Sequence, residues 1–235
     1  MKQIYFGLFC TDARRTMMKV IIGSGDQIVI KVMGEQSLII PLTVELPGES
    51  DMLIDVPLFS QRDARWRNVQ LGTSNVTIGG YGCVITCIAM LLSRYGYKET
   101  PLTVNEQAKA HHGFHSGAYF IWESVIRIWP EVHLLKKIDC RSTPAPIAQI
   151  DAELTAGRPV IVYVDFDHDS ANGLQTHFVL LVGKNGDQDY WCNDPWTGEQ
   201  VSLVEAYGTD DPKRPWMTNA GGVIAGVRFY SGIEE

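Results

Sequence analysis

Gly79-Gly80-Tyr81-Gly82-Cys83-Val84-Ile85-Thr86-Cys87-Ile88-Ala89-Met90-Leu91-Leu92-Ser93-Arg94-Tyr95-Gly96 is the stretch on which the fold turns. From Cys83 to Tyr95 the residues are apolar nearly all round, so the segment reads as a buried helix, and Gly96 ends it as a C-cap. The glycines just ahead of it let backbone approach the helix start closely. Cys83 then sits at the positive end of the helix dipole, which favours a thiolate, beside first-turn N–H groups that lack intrahelical acceptors. Cys87, one turn deeper, reads as core packing.

Working outward, further helices are expected over Thr103–His111, Tyr119–Trp129 (ended by Pro130) and Ile147–Ala156 (ended by Gly157). The period then changes. Pro159–Phe166, His177–Lys184, Asp189–Cys192 and Val223–Tyr230 are rich in β-formers, with turn signals at Asn172-Gly173, Asn185-Gly186 and Thr197-Gly198. Helices first and strands afterwards give an α+β order, not an alternating one.

Upstream of the cysteine, Ser60–Gly82 reads as a long polar loop holding Trp66, and Val56–Phe59 as a short strand or extended lead-in. Residues 1–51 are different. Lys2–Phe9, Met18–Ile22, Gln27–Val32 and Ser37–Leu46 are short β-rich runs separated by glycine turns and closed by Pro47-Gly48. The expected organisation is therefore a small β module or β extension over 1–51 and a main domain over 52–235.

His177 opens the apolar strand His177-Phe178-Val179-Leu180-Leu181-Val182, which holds its ring at the strand's edge. The next strand runs into Asn193-Asp194-Pro195-Trp196. If the two pair as a hairpin through Lys184–Gln188, the end of the second lies beside the start of the first, and Asp194 approaches His177. A thiol, a base and an acid that orients the base are the parts nucleophilic thiol catalysis needs.

The chain has 235 residues, 45% of them hydrophobic, and a net charge of −7, a globular composition that excludes disorder as the main state. With no Lys/Arg run longer than two, it does not read as a nucleic-acid or polybasic membrane binder. Apolar runs are too short for membrane insertion as a helix, and the N-terminus does not read as a signal peptide. The five cysteines include no CxxC pair. They read as free thiols in a reducing setting, so a cytoplasmic location is expected. The sequence carries no signature of a particular oligomeric state.

Five segments together carry a family resemblance: Ser60-Gln61-Arg62-Asp63 with Trp66; Tyr81-Gly82-Cys83 with Thr86 and Met90; Gly157-Arg158-Pro159-Val160; Thr176-His177-Phe178-Val179; and Asn193-Asp194-Pro195-Trp196. Over roughly residues 53–205 the chain resembles papain-superfold cysteine peptidases related to the bacteriocin-processing, double-glycine-leader peptidases. Its longer spacer between Gln61 and Cys83 matches the broader branch of that family. The resemblance implies a papain-like fold, a buried Cys-bearing helix packed on an antiparallel sheet carrying His and Asp. It also implies Cys83 as nucleophile, His177 as general base and acid, Asp194 as orienter and Gln61 as oxyanion donor. Tyr81, Gly82 and Trp196 are expected to bind substrate, a peptide or peptidoglycan-like amide, and no cofactor is required.

Other readings are open at this level. Asn193 competes with Asp194 for the third role, and Gln61 has the alternative of capping a loop. A cell-wall amide hydrolase, an acyltransferase on the same site and a non-catalytic binding domain share the fold. His111 and His115 have helical spacing but no third metal ligand suggests itself. Asp165-x-Asp167-x-Asp169 begins like a calcium loop yet lacks its glycine and its closing glutamate.

Overall fold

A computed structural model of the protein describes residues 53–167 and 175–232 in full, together with the backbone of three short strands nearer the N-terminus. The chain divides into two compact units, Met1–Gly48 and Glu49–Glu235. In the first, β1 (Gln3–Ile4), β2 (Met18–Ile22) and β3 (Ile28–Val32) form an antiparallel sheet, with Met18 opposite Val32 and Ile22 opposite Ile28. The strand expected over Ser37–Leu46 and the turn at Asn172-Gly173 lie outside the described residues.

The second unit begins with helices. A single turn, α1 (Ile78–Tyr81), interrupts what the sequence presents as a continuous loop, and after Gly82 comes α2 (Cys83–Ser93). Gly96, at φ 81°, turns the chain out of it, as expected of a glycine past a helix end. Next is α3 (Pro101–Ala110), which starts ahead of the apolar pattern because Thr100 and Thr103 form a reciprocal cap and Pro101 takes the first helical position.

The helix expected over Tyr119–Trp129 does not form as one piece. Tyr119–Phe120 is instead a short strand, β5, paired with β4 (Phe114–His115), and a 3₁₀ turn at Trp122–Ser124 leads into α4 (Val125–Ile128). Aromatic and β-branched residues fit strands as readily as helices. Here edge-on ring contacts of Phe120 with Phe114 and Trp122 accompany the strand pairing.

The remaining elements are β6 (Val132–Asp139), α5 (Ile147–Thr155), β7 (Val160–Asp165), β8 (Thr176–Lys184), β9 (Tyr190–Asp194), β10 (Glu199–Ser202), α6 (Leu203–Tyr207), α7 (Ala220–Val223) and β11 (Gly226–Gly232). The six long-range strands make one antiparallel sheet in the order β10-β9-β8-β7-β11-β6. Val223, expected to open the last strand, closes α7, a turn capped by the Asn219 side chain.

Helices cover both faces, so β7 is buried along its whole length. Ile161, Leu180 and Val182 pack on α2 and α3, whereas Val160, Val162, Val164, Val179 and Leu181 pack beneath α5, α6 and α7. The fold is α+β, with the cysteine-bearing helix buried against an antiparallel sheet.

The β8–β9 hairpin turns through Gly186, at φ 72°, and pairs Lys184 with Tyr190 and Leu180 with Asn193. Val182 is an extra residue between the Leu181–Cys192 and Gly183–Trp191 pairs. This bulge leaves its carbonyl free to accept from the Ile54 N–H at 2.7 Å, tying the start of the unit to the sheet. Beyond Leu180 β9 has no further partner in β8, and α2 meets the strand there. The Cys87 thiol donates to the Phe178 carbonyl at 3.4 Å.

Candidate active site

His177 is the second residue of β8 and Asp194 the last of β9. One step past the Leu180–Asn193 pair, Asp194 lies across from Val179, on the face that Val179 shares with His177. Such diagonal neighbours stand about 7–8 Å apart on the backbone, within reach of these two side chains. They meet, His177 Nε2 lying 2.8 Å from Asp194 Oδ1, and both residues are buried. Asn193, one residue earlier, points to the opposite face, where its Oδ1 accepts from Gln200 at 3.2 Å. The pleat thus brings Asp194, and not Asn193, to the imidazole.

The Asp194 carboxylate is held on both oxygens. Oδ1 also accepts from the Trp196 N–H at 2.8 Å, while Oδ2 accepts from the Tyr207 hydroxyl at 2.9 Å and from Thr197 Oγ1 at 3.2 Å. Tyr207 was not among the residues expected from sequence. It ends α6, a helix too short to show a period, and its ring also lies 5.9 Å from the imidazole. That helix is itself moored by Asp189, which accepts from the Val204 N–H at 2.9 Å and the Ser202 hydroxyl at 2.6 Å.

Cys83 is half-buried at the first position of α2. It precedes Cys87 by one turn and so lies on the same side of the helix, the side that abuts β8. From there its thiol acts on the imidazole, helping to raise the His177 pKa. Because Nε2 faces Asp194, Nδ1 is the ring nitrogen left for Cys83.

Electrostatics follow from this chain of contacts. Burial opposes a charged imidazolium, but hydrogen bonds to Asp194 and Cys83, with the charges of both, outweigh it and raise the His177 pKa to about 9. Burial likewise pushes the Asp194 carboxyl up, yet His177, the Trp196 N–H and the Tyr207 hydroxyl bring it net below its ordinary value. At neutral pH the proton therefore rests on the imidazole. Cys87 and Cys192, wholly buried, have their thiols pushed well up by desolvation.

Gln61 is buried beside the start of α1. Its backbone N–H donates to the Pro195 carbonyl at 2.8 Å, which ties it to the Asp194 turn, and its Nε2 donates to the Gly79 carbonyl at 3.1 Å. Its Oε1 is buried without a partner. The reverse amide orientation would set two carbonyl oxygens against each other, so the NH₂ end is fixed toward Gly79.

The glycines ahead of Cys83 answer to space. Gly82 has an ordinary φ of −86°, but a Cβ there would lie 2.5 Å from the Ile78 carbonyl oxygen, and one on Gly79 would lie 2.7 Å from that of Arg67. Tyr81 is exposed beside them. Trp196 lies edge-on to Phe166 at 5.1 Å with the Arg62 guanidinium over it at 4.6 Å, and Phe166 in turn lies 5.1 Å from the His177 ring. Phe166, like Tyr207, was missed; it reads in sequence only as the end of a strand.

Volume alone points elsewhere. A cavity of about 850 Å³ opens between Cys140–Pro144 and Trp216–Ala225, and none of Cys83, His177 or Asp194 lines it. Chemistry, not concavity, locates the candidate site.

The Peptidase_C39 like family profile matches residues 53–217, well over half of the chain and the whole span from Gln61 to Tyr207. No curated protein and no solved structure matches the chain. The family fits the papain-like arrangement described above and points to cysteine-peptidase-type activity. The chain belongs to the Peptidase_C39 like family.

Proposed function

We propose that the second unit hydrolyses a peptide or related amide bond through an acyl-enzyme on Cys83. The observation that carries this reading is the buried 2.8 Å contact of His177 Nε2 with Asp194 Oδ1, on a ring whose pKa the Cys83 thiol at the start of α2 helps to raise.

The Cys83 thiolate attacks the carbonyl carbon, forming a C–S bond and moving the carbonyl π electrons onto oxygen. The oxyanion is met by the first-turn Cys83 N–H and by the second N–H of Gln61 Nε2, each donor worth about 3 kcal/mol. As the C–N bond breaks, His177 Nδ1 gives its proton to the departing amine. Water then adds to the thioester and yields a proton to His177. The C–S bond breaks, the acid leaves, and thiolate and imidazolium are restored. Asp194 stays ionised, orienting the ring, while Tyr81, Gly82 and Trp196 flank the substrate. No metal or cofactor enters any step.

Mass spectrometry of enzyme mixed with an activated peptide ester tests this directly. An acyl adduct on Cys83, absent from Cys83→Ala, supports the reading, and added hydroxylamine separates hydrolysis from acyl transfer. Turnover indifferent to Cys83→Ala would sink it.

A further inference from the structure

Arg62 follows Gln61 directly in the chain and takes no part in the steps above. It is exposed, and its guanidinium lies over the Trp196 ring at 4.6 Å. Trp196 meets Phe166 edge-on at 5.1 Å, and Phe166 in turn meets the His177 ring at 5.1 Å. Val164 pairs with His177, so Phe166, two residues on, keeps to the same face of the sheet as the imidazole. Three ring contacts thus lead from the imidazole to one cation.

Backbone contacts hold the partners of this stack in place. The Gln61 N–H donates to the Pro195 carbonyl at 2.8 Å; Ser60 Oγ donates to the same carbonyl at 3.3 Å and accepts from the Arg62 N–H at 3.1 Å. The Trp196 N–H donates to Asp194 Oδ1 at 2.8 Å, and the Gly198 N–H to the Asp194 carbonyl at 2.8 Å. Gly198 has a φ of 72°, and a Cβ there would lie 2.7 Å from that of Ser60. The segment that carries Arg62 and the turn that carries Trp196 are therefore tied to each other and to the carboxylate that orients His177.

Stacking uses only the face of a guanidinium and leaves the N–H donors along its edge. Among the described residues the Arg62 side chain makes no hydrogen bond and no ion pair. Its neighbour Asp63 is taken by Arg65, which reaches both carboxylate oxygens, at 2.9 and 2.7 Å. In a chain of net charge −7 this is an exposed cation whose donors are unused. A planar fork of free donors resting on an aromatic face is suited to a carboxylate.

We infer that Arg62 is a specificity residue that binds a carboxylate in the leaving half of the substrate. This rests on the amide-hydrolase reading of Cys83. His177 hands its proton to the departing amine, so the rings that abut the imidazole flank the leaving half and not the acyl half. The three ring contacts keep the guanidinium within about 15 Å of the imidazole, a span of roughly four residues in an extended peptide. The carboxylate therefore belongs to an acidic side chain among the first four residues after the cleaved bond, or to the C-terminus of a short leaving peptide.

The test uses peptides carrying Glu or its isostere Gln at each of roughly four positions on either side of the cleaved bond, made as C-terminal acids and as amides. Cleavage is measured with the wild-type chain, and binding with Cys83→Ala. After the bond, the carboxylate is expected to exceed the amide by about three- to ten-fold in kcat/KM and in affinity at low salt, and less as salt is raised, because Arg62 is exposed. Arg62→Gln should bring that ratio to about one, and Arg62→Lys should keep part of it. A preference for the C-terminal acid alone supports the inference and assigns the carboxylate to the chain end. A wild-type chain that discriminates nowhere, including one that neither cleaves nor binds the peptides, overturns it. So does a preference confined to positions before the bond, or an Arg62→Gln variant that discriminates as the wild type does. Peptides bound with the preference but never cleaved overturn the hydrolase reading instead and leave carboxylate recognition by Arg62 standing.

Discussion

The Cys87 thiol lies 3.4 Å from the carbonyl oxygen of Phe178, and this contact sets the register between the cysteine helix and the histidine strand. It places Cys83, a turn earlier, at the level of His177, the residue before Phe178. The two cysteines of the helix consequently have opposite fates. Iodoacetamide near neutral pH should modify Cys83 while leaving Cys87 and Cys192, whose buried thiols are pushed well up, unmodified in the folded chain. Peptide mapping by mass spectrometry reads this; labelling of Cys87 at a rate comparable with Cys83 would contradict it.

Replacing Asp194 with Asn keeps the shape and removes the charge. Because the carboxylate's hydrogen bond and charge help raise His177 to about 9, the alkaline limb of the activity profile should move from near pH 9 toward lower pH. The rate should fall by roughly 10²–10⁴-fold, as expected when a base loses its orienting acid. A pH–kcat/KM profile of the variant checks both.

Tyr207→Phe deletes one of the four hydrogen bonds to the Asp194 carboxylate. The loss of a buried bond to a charged group should cost about 1.5–3 kcal/mol in urea unfolding. Because the Tyr207 hydroxyl helps hold the carboxyl down, its removal should also raise the Asp194 pKa, and activity should then begin to fail at a higher pH on the acid side.

Stability should share this pH dependence. His177 has a folded pKa raised above its unfolded value of 6.5, so its contribution is full below about pH 6.5 and is lost as pH rises through about 9. Asp194, depressed in the fold, contributes fully above its unfolded value of 3.8 and loses that contribution as pH falls through its folded pKa. Urea midpoints should therefore decline on the alkaline side, and His177→Ala should flatten that decline.

Gly82→Ala and Gly80→Ala separate space from backbone freedom. A Cβ at Gly82 would meet the Ile78 carbonyl oxygen at 2.5 Å, whereas at Gly80 its nearest neighbour would be Thr77 Oγ1 at 3.6 Å. The first substitution should displace the start of α2 and cost about 1–3 kcal/mol, with loss of Cys83 reactivity; the second should be tolerated. Thermal melts combined with the alkylation rate distinguish them.

Much of the arrangement was legible because it rests on local rules. An all-round apolar run after glycines gives the buried helix, and the hairpin turn at Asn185-Gly186 brings Asp194 toward His177. The resemblance already favoured Asp194 over Asn193; the physical reason that Asp194 is the one to reach His177 is the pleat, which is visible only once Leu180 is paired with Asn193. Tyr119–Trp129 misread as one helix because its aromatic residues suit a strand pair whose partner lies across the Gly117 turn. Tyr207 and Phe166 carry no pattern at all; each reaches the imidazole or its carboxylate partner through long-range strand or helix packing.

The central claim is that His177 activates the Cys83 thiol, and the rate of Cys83 alkylation at pH 6 in the wild type against His177→Ala tests it most directly. The account predicts rapid, selective modification of Cys83 that slows by about 100-fold or more when the imidazole is removed. Equal rates in the two proteins, or modification of Cys83 no faster than of an unfolded-chain thiol, would contradict it.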